Sequence, residues 1–253
     1  LHMGRLYLQL IHSGAAWVVA IDTTNGKEIW KVERLSDGVA ECEHAYTSPC
    51  LWQDGKQARL ITHGNDYAIA HRLTDGKEIW RVGDLNPKSR YNRTLRFVAS
   101  PVAVSELIVV PSAKGRGVVG VRPNATGLLL SGAKGEQWRL IRGTPDVVSP
   151  LIYGSEVYLN RENGSILCLD AKTGKEHYSE RAHAQTYRGS PVASDGKIYV
   201  TARDGTVSVI KAGPKFEVLF KNKIKDQLTA SPALANGRIY LRGFEALYAI
   251  GKK

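Results

Sequence analysis

Residues 20–30 read AIDTTNGKEIW, residues 70–80 read AHRLTDGKEIW and residues 168–178 read CLDAKTGKEHY. A chain that writes one phrase three times is built from repeats, and the phrase shows what is repeated. In each copy an apolar stretch runs into a polar turn with glycine near its end: Gly26, Gly76 and Gly174. Glycine supplies the positive φ that hairpin turns demand, so Asn25-Gly26, Asp75-Gly76 and Thr173-Gly174 read as tight connections between two strands. Lys and Glu follow on the solvent side, and an aromatic residue then turns inward: Trp30, Trp80 and Tyr178.

A second marker has the same rhythm. Ser-Pro occurs at 48–49, 100–101, 149–150, 190–191 and 231–232, so successive prolines stand 52, 49, 41 and 41 residues apart. After each marker comes a short apolar stretch with a polar turn, as in SPVASDGK (190–197) and SPALANGR (231–238). Then follow two alternating strands, the first of each pair being ARLITHG, ELIVVPS, EVYLNRE, KIYVTAR and RIYLRGF. The fourth segment ends in an aromatic ring, with Trp138 in the copy GEQWRLI. Alternation of this kind is the period-2 signature of strands, and a helical period is nowhere sustained. Four short strands in about 41 to 52 residues is the arithmetic of a β-propeller blade.

The chain therefore reads as all-β, a propeller of four-stranded antiparallel blades forming one domain over residues 1–253. Six units are visible, at approximately 4–35, 43–85, 95–140, 145–182, 186–224 and 228–253. The first begins at RLYLQL, the second strand of a blade, and the last ends after its third strand. Both are incomplete, which points to a parent ring of seven or eight blades. Trp30, Trp80, Trp138 and Tyr178 are expected to fill the space between blades. The Ser-Pro proline starts the innermost strand, where an open edge tolerates a residue without an N–H.

Composition narrows the function classes. The chain has 253 residues, a 43% hydrophobic fraction and a formal charge of +11. No apolar run is long enough to span a membrane as a helix. The charge favours anionic partners in general, but no basic helix or stacking platform accompanies it, so specific nucleic-acid binding is not expected. Cys42, Cys50 and Cys168 make neither a disulfide framework nor a zinc pattern. They read as separate thiols, although Cys42 and Cys50 are near enough in sequence to pair if they face each other. No GxSxG nucleophile turn is present. Asn92, Asn124 and Asn163 begin N-x-S/T triplets, which matter only in a glycosylating secretory pathway. No basic, apolar leader precedes Leu1, so either a leader was removed or the chain is a piece of a longer one.

The pattern Ala20-x-Asp22-x-x-x-Gly26-Lys27-x-x-Trp30 resembles the tryptophan-docking motif of pyrroloquinoline-quinone-type (PQQ-like) β-propeller repeats. Cys168-x-Asp170-x-x-x-Gly174-Lys175-x-x-Tyr178 matches it with Tyr for Trp, and the second copy carries Arg72 in place of Asp. The resemblance covers essentially the whole chain. It extends to bacterial secreted repeat proteins grouped with the propeller lipoprotein of the outer-membrane barrel-assembly machinery. Some members of this family are quinoprotein dehydrogenases; many bind no quinone and act as interaction scaffolds. The dehydrogenases carry two adjacent cysteines against the cofactor and a calcium-ligand set with a catalytic Asp. This chain has no Cys-Cys, and none of those roles can be assigned to its residues. The resemblance thus implies a non-catalytic scaffold without cofactor, periplasmic or otherwise extracytoplasmic, that binds a protein or a small anionic ligand. The alternatives are a truncated PQQ-dependent dehydrogenase domain and an extracytoplasmic sensor domain of a larger protein.

Strand parity locates a candidate site. Loops between blades share one face with the loops joining second and third strands. The inter-blade loops 34–47 and 82–98 are the long ones, and long loops on a rigid scaffold tend to carry function. The candidate binding residues on that face are His44, Tyr46, His63, Asp66, Arg93, Arg96, Arg161, Glu162, Arg188 and Arg203, with Asn65, Tyr187 and Asp204 nearby. Convergent Arg and His side chains would hold a carboxylate or phosphate. His44, His63 and Asp66 follow no metal-ligand spacing, and no metal site is assigned.

Overall fold

The computed structural model describes residues 1–34, 37–64 and 66–251. They form two compact units, Leu1–Arg142 and Gly143–Lys253. Among the described residues there are strands and two short 3-10 turns but no α-helix, and no helix is long and apolar enough to cross a membrane.

The first unit holds three sheets. Strands β1 (Arg5–His12), β2 (Ala15–Asp22) and β3 (Glu28–Glu33) form the first. The second contains β4 (Cys50–Gln53), β5 (Ala58–Gly64), β6 (Tyr67–Arg72) and β7 (Glu78–Val82). The third follows with β8 (Val102–Val104), β9 (Leu107–Pro111) and β10 (Val118–Val121). Before that sheet is completed by β12 (Glu136–Leu140), the chain inserts β11 (Gly127–Leu129), which leaves its own sheet and pairs parallel with β7. The second sheet is therefore five-stranded, in the order β11-β7-β6-β5-β4.

The second unit holds the four-stranded sheets β13 (Leu151–Tyr153) to β16 (Glu176–Arg181) and β17 (Val192–Ser194) to β20 (Val218–Lys223). Their middle strands are β14 (Glu156–Asn160), β15 (Ser165–Asp170), β18 (Lys197–Thr201) and β19 (Thr206–Lys211). A last sheet has β21 (Ala233–Ala235), β22 (Arg238–Arg242) and β23 (Leu247–Gly251). Apart from β11, every pairing of strands is antiparallel between sequence neighbours within a repeat. The first and last sheets show three strands each, as the sequence implied.

The core is distributed between consecutive sheets. Tyr7, Val18, Ala20, Trp30 and Leu60 join the first sheet to the second. Trp52, Ile61, Trp80, Phe97, Ile108 and Val119 join the second to the third. In the second unit, Tyr158, Ile166, Tyr178, Ile198 and Val200 fill the space between the first two sheets, and Val207, Leu228 and Leu241 that before the last. Middle strands are thus covered on both faces: all of β9 and β14 is buried.

The repeated phrase has a repeated geometry. Trp30, Trp80, Trp138 and Tyr178 are all buried. Each stands opposite a third-strand residue, Ala20, Ala70, Gly120 and Cys168 respectively, and the register slips by one residue just beyond. The extra residue is the one before the aromatic: Ile29, Ile79, Gln137 and His177. A β-bulge here bends the outer strand and re-aims its next side chain toward the neighbouring sheet. The Trp30 ring reaches the β6–β7 turn, where its Nε1–H donates to the Leu73 carbonyl (3.0 Å). A Cβ on Gly76, which has φ +74°, would come within 2.8 Å of that ring, so glycine is required there by backbone and packing together. Tyr178 meets Phe216 of the β19–β20 turn edge-on, with ring centroids 5.3 Å apart. Phe220 holds the equivalent position opposite Val209 but is 59% exposed, because the last sheet presents no such turn among the described residues.

The turns are longer than their Asn-Gly and Asp-Gly pairs suggest. The carbonyls of Asp22, Arg72 and Asp170 accept the N–H groups of Gly26, Gly76 and Gly174, four residues on. Asp22 also takes the Thr24 N–H and hydroxyl on one carboxylate oxygen (2.7 and 2.6 Å), and Asp170 does the same for Thr173. Arg72 breaks the Asp pattern, and its guanidinium pairs instead with Asp75, whose Oδ1 accepts the Lys77 N–H (3.1 Å) as Asn25 accepts that of Lys27 (2.8 Å).

Candidate functional site on the loop-bearing face

The two long loops of the first unit are knitted into one plate. The Tyr91 hydroxyl donates to Asp66 Oδ2 (2.7 Å) and accepts the Val39 N–H (3.0 Å), so one phenol joins both loops to the β5–β6 turn. Asn86 Nδ2 donates to Asp66 Oδ1 and to the Asn92 carbonyl, both at 3.0 Å. The Cys42 thiol points at the Asn92 and Leu95 carbonyls (3.3 and 3.4 Å). The Glu41 N–H reaches the Arg93 carbonyl (3.1 Å), and Ala45 bridges Phe97 in parallel fashion. Tyr67 donates to Asp37 Oδ2 (2.9 Å), which also pairs with Lys88 (3.3 Å). Burial and the neighbouring Asp37 carboxylate push the Tyr67 phenol up to about 12. Burial likewise raises the Asp66 carboxyl, against the lowering effect of its bonds to Tyr91 and Asn86.

This arrangement sorts the expected site residues. His63 is a correction: it is fully buried, its ring lying edge-on to Phe97 with centroids 5.2 Å apart. Burial depresses its imidazole to about 3, so it is a neutral core residue and not a ligand-facing one. Its backbone is held by Gln9, whose Nε2 donates to the His63 carbonyl (3.0 Å) and whose Oε1 accepts the His63 N–H (3.0 Å). Asp66 is also buried, at φ +66°, and serves the loop plate instead of facing solvent. His44 is half-buried, while Tyr46, Arg93 and Arg96 are exposed, with the Tyr46 hydroxyl donating to Glu41 (2.8 Å). Asn65 lies outside the described residues.

In the second unit, Arg188 pairs with Asp146 at 3.7 Å, and the Asp146 N–H donates to the Glu162 carboxylate. Arg161 is half-buried and Arg203 exposed. Tyr187 is buried in the core and its phenol is pushed up to about 12 by that burial. Asp204 is held by His183 (3.2 Å), Lys223 (3.1 Å) and the Thr206 N–H (3.1 Å). Burial opposes ionisation of Asp204, but these bonds outweigh it and keep its carboxyl well below the usual range.

Sequence reasoning missed Asn86 and Tyr91 as individuals, because their role depends on a contact across 20 and 25 residues. It also missed four arginines of the first unit, Arg90, Arg116, Arg139 and Arg142, which line one hollow of about 700 Å³ on this face. Arg116 and Arg142 stand two residues from a strand end, Arg139 lies within β12 and Arg90 in the loop after β7, positions that no pattern in the sequence marks. The three cysteines are free thiols, and among the described residues no group of His, Cys, Asp or Glu is gathered to hold a metal.

Within each unit, repeated antiparallel sheets with cores between consecutive members and aromatic wedges define a β-propeller repeat protein. The family model described as outer membrane protein assembly factor BamB, a PQQ-type repeat family, matches residues 3–212, and the chain belongs to that family. A segment of 95 residues, 37% of this chain, is 33% identical to outer membrane protein assembly factor BamB of Burkholderia pseudomallei (strain K96243) and spans 24% of that relative. Among solved structures the chain is similar to BamB of Moraxella catarrhalis, at 15% identity and a TM-score of 0.52 over 98% of this chain and 82% of that one. It is also similar to quinohemoprotein alcohol dehydrogenase of Comamonas testosteroni, at 13% identity and a TM-score of 0.62 over 87% and 42%. The computationally designed Ika8 protein gives 12% identity and a TM-score of 0.68 over 99% and 69%. At these identities the structural likeness is one of fold alone.

Proposed function

We propose that the chain is a non-catalytic scaffold of the bacterial cell envelope, its six sheets consecutive blades of one propeller, which docks a protein partner in outer-membrane assembly. Membership of the BamB family supports the setting. The observation that carries the docking reading is the plate formed by residues 37–47 and 82–98, held by Tyr91, Asp66 and Asn86 and presenting Tyr46, Arg93 and Arg96 outward. Interfaces favour such rigid surfaces, because little side-chain and loop entropy is lost on binding, and Tyr and Arg are the residue types enriched at their hot spots. A catalytic reading gains nothing from the expected site residues: His63 and Asp66 are turned inward by burial and hydrogen bonding.

Site-specific photo-crosslinking from position 93 or 96 in envelope preparations tests this. A discrete protein adduct is expected, and the Arg93→Glu/Arg96→Glu variant should lose most of the associated partner while melting at the wild-type temperature. Partner recovery equal to wild type would refute docking through this plate.

A further inference from the structure

The arginine hollow lies entirely within the first unit, between the loop after β7, the β9–β10 connection and the end of β12. Arg90, Arg116, Arg139 and Arg142 line it against a single lining carboxylate, Asp84, whose Oδ2 accepts the Ser131 N–H (3.3 Å). Arg139 is anchored: its Nε donates to Glu136 (2.8 Å), and both side chains are largely buried. Arg90, Arg116 and Arg142 have no ion-pair partner among the described residues. Three guanidinium groups without an ion-pair partner outnumber the one lining carboxylate, so the concavity carries a positive potential that favours an entering anion. The hollow is not purely polar. Leu85 is buried in its wall, and Ile141 stands 87% exposed beside Arg142. Exposed isoleucine among arginines on a loop face is the composition of a docking surface, with an apolar contact flanked by bidentate cation donors.

We propose that this hollow receives an extended acidic segment of the protein partner, with its carboxylates on Arg90, Arg116 and Arg142 and an apolar side chain against Ile141. The inference rests on the scaffold reading above and adds to it the chemistry of the docked segment. A peptide satisfies the set better than a small anion does. The three free arginines come from three separate stretches of chain, and a volume of about 700 Å³ accommodates several residues. A single phosphate would leave the exposed isoleucine without a role.

The test uses the whole chain and a fluorescein-labelled hexapeptide of sequence EELEDE, followed by fluorescence anisotropy. Saturable binding is expected, weakened about tenfold or more by Arg116→Ala/Arg142→Ala. It should be nearly unchanged in Lys27→Ala/Lys77→Ala, which removes the same charge from turns on the opposite face. Replacing the peptide's leucine with serine should weaken binding further than any change of buffer anion at constant ionic strength. Equal affinity in both double variants would overturn the proposal by reducing the effect to net charge. Displacement of the peptide by equimolar inorganic phosphate or citrate would overturn it in favour of a small-anion site. Partner crosslinking from the loop plate, scored on the same variants, separates the two readings. Adducts that persist in a protein whose hollow binds no peptide refute the hollow alone; loss of adducts in the wild type refutes the scaffold.

Discussion

Trp30 carries a packing contact and a hydrogen bond in one side chain, its ring against Gly76 and its N–H on the Leu73 carbonyl. Trp30→Phe keeps most of the ring and loses the bond, which should cost about 1 kcal/mol. Trp30→Ala also opens a cavity between the first two sheets and should cost about 3 to 5 kcal/mol. Urea denaturation midpoints of the two variants would show the difference. Two histidines of the second sheet make a pH prediction. Burial holds His63 at about 3 and His71 at about 4, with His71 bonded to Thr62 (2.9 Å) and the Gly76 carbonyl (2.9 Å). Both folded values lie below the unfolded value of about 6.5, so the unfolded chain binds protons first. Stability is complete above pH 6.5 and falls as pH drops toward 4, by roughly 1.4 kcal/mol per pH unit for each histidine. In His63→Phe, the slope of unfolding free energy against pH between 6 and 4.5 should be about halved. The aromatic positions were legible in the sequence because the phrase repeats. The inward position of His63 was not. Strand parity gives two faces of a sheet, and in β5 both are covered, so alternation cannot tell a solvent face from a second core face.

At the scale of the element, the hairpins were readable and their devices were not. The one-residue bulge before each wedge aromatic cannot be seen in an alternating pattern, since it is a property of two strands in register. In the Ser-Pro marker only the proline has a role that the sequence makes plain. The serine acts across repeats. Ser100 Oγ accepts the Ser48 N–H (2.9 Å), Ser190 Oγ that of Ser149 (3.0 Å) and Ser231 Oγ that of Ser190 (2.8 Å). Each hydroxyl therefore ties the start of one inner strand to the next. Ser190→Ala should cost about 1 kcal/mol and raise amide exchange at Ser149 ahead of the rest of β13. The insertion that supplies β11 is equally invisible in the sequence, because three residues pairing with a strand 47 positions earlier leave no periodic trace. By covering the outer edge of β7 it removes a row of free backbone groups. Deleting residues 124–133 should leave the second sheet with an open edge and cause concentration-dependent self-association, measurable by sedimentation velocity.

Across the whole chain, the excess of basic residues governs association more than folding. With a formal charge of +11 and cationic side chains on the loop-bearing face, capture of an acidic partner should be steered electrostatically. Its association rate should fall about tenfold or more between 50 and 300 mM salt while the dissociation rate changes little; a salt-independent association rate would contradict this. Family and fold were within reach of the sequence because both rest on local rules written once per repeat: alternation, glycine turns, an edge proline and a wedge aromatic. These settled the order of strands within each repeat, β11 apart, and the three-stranded first and last sheets without reference to any distant contact. The candidate site was different. Asp66 meets Tyr91, and Arg116 shares a hollow with Arg90 and Arg142, only because consecutive sheets bring separate loops to one face. Which charged loop residues serve as struts and which remain free was therefore decided by tertiary packing: a buried polar group must find a partner wherever the fold places one, and sequence spacing carries no record of where that is.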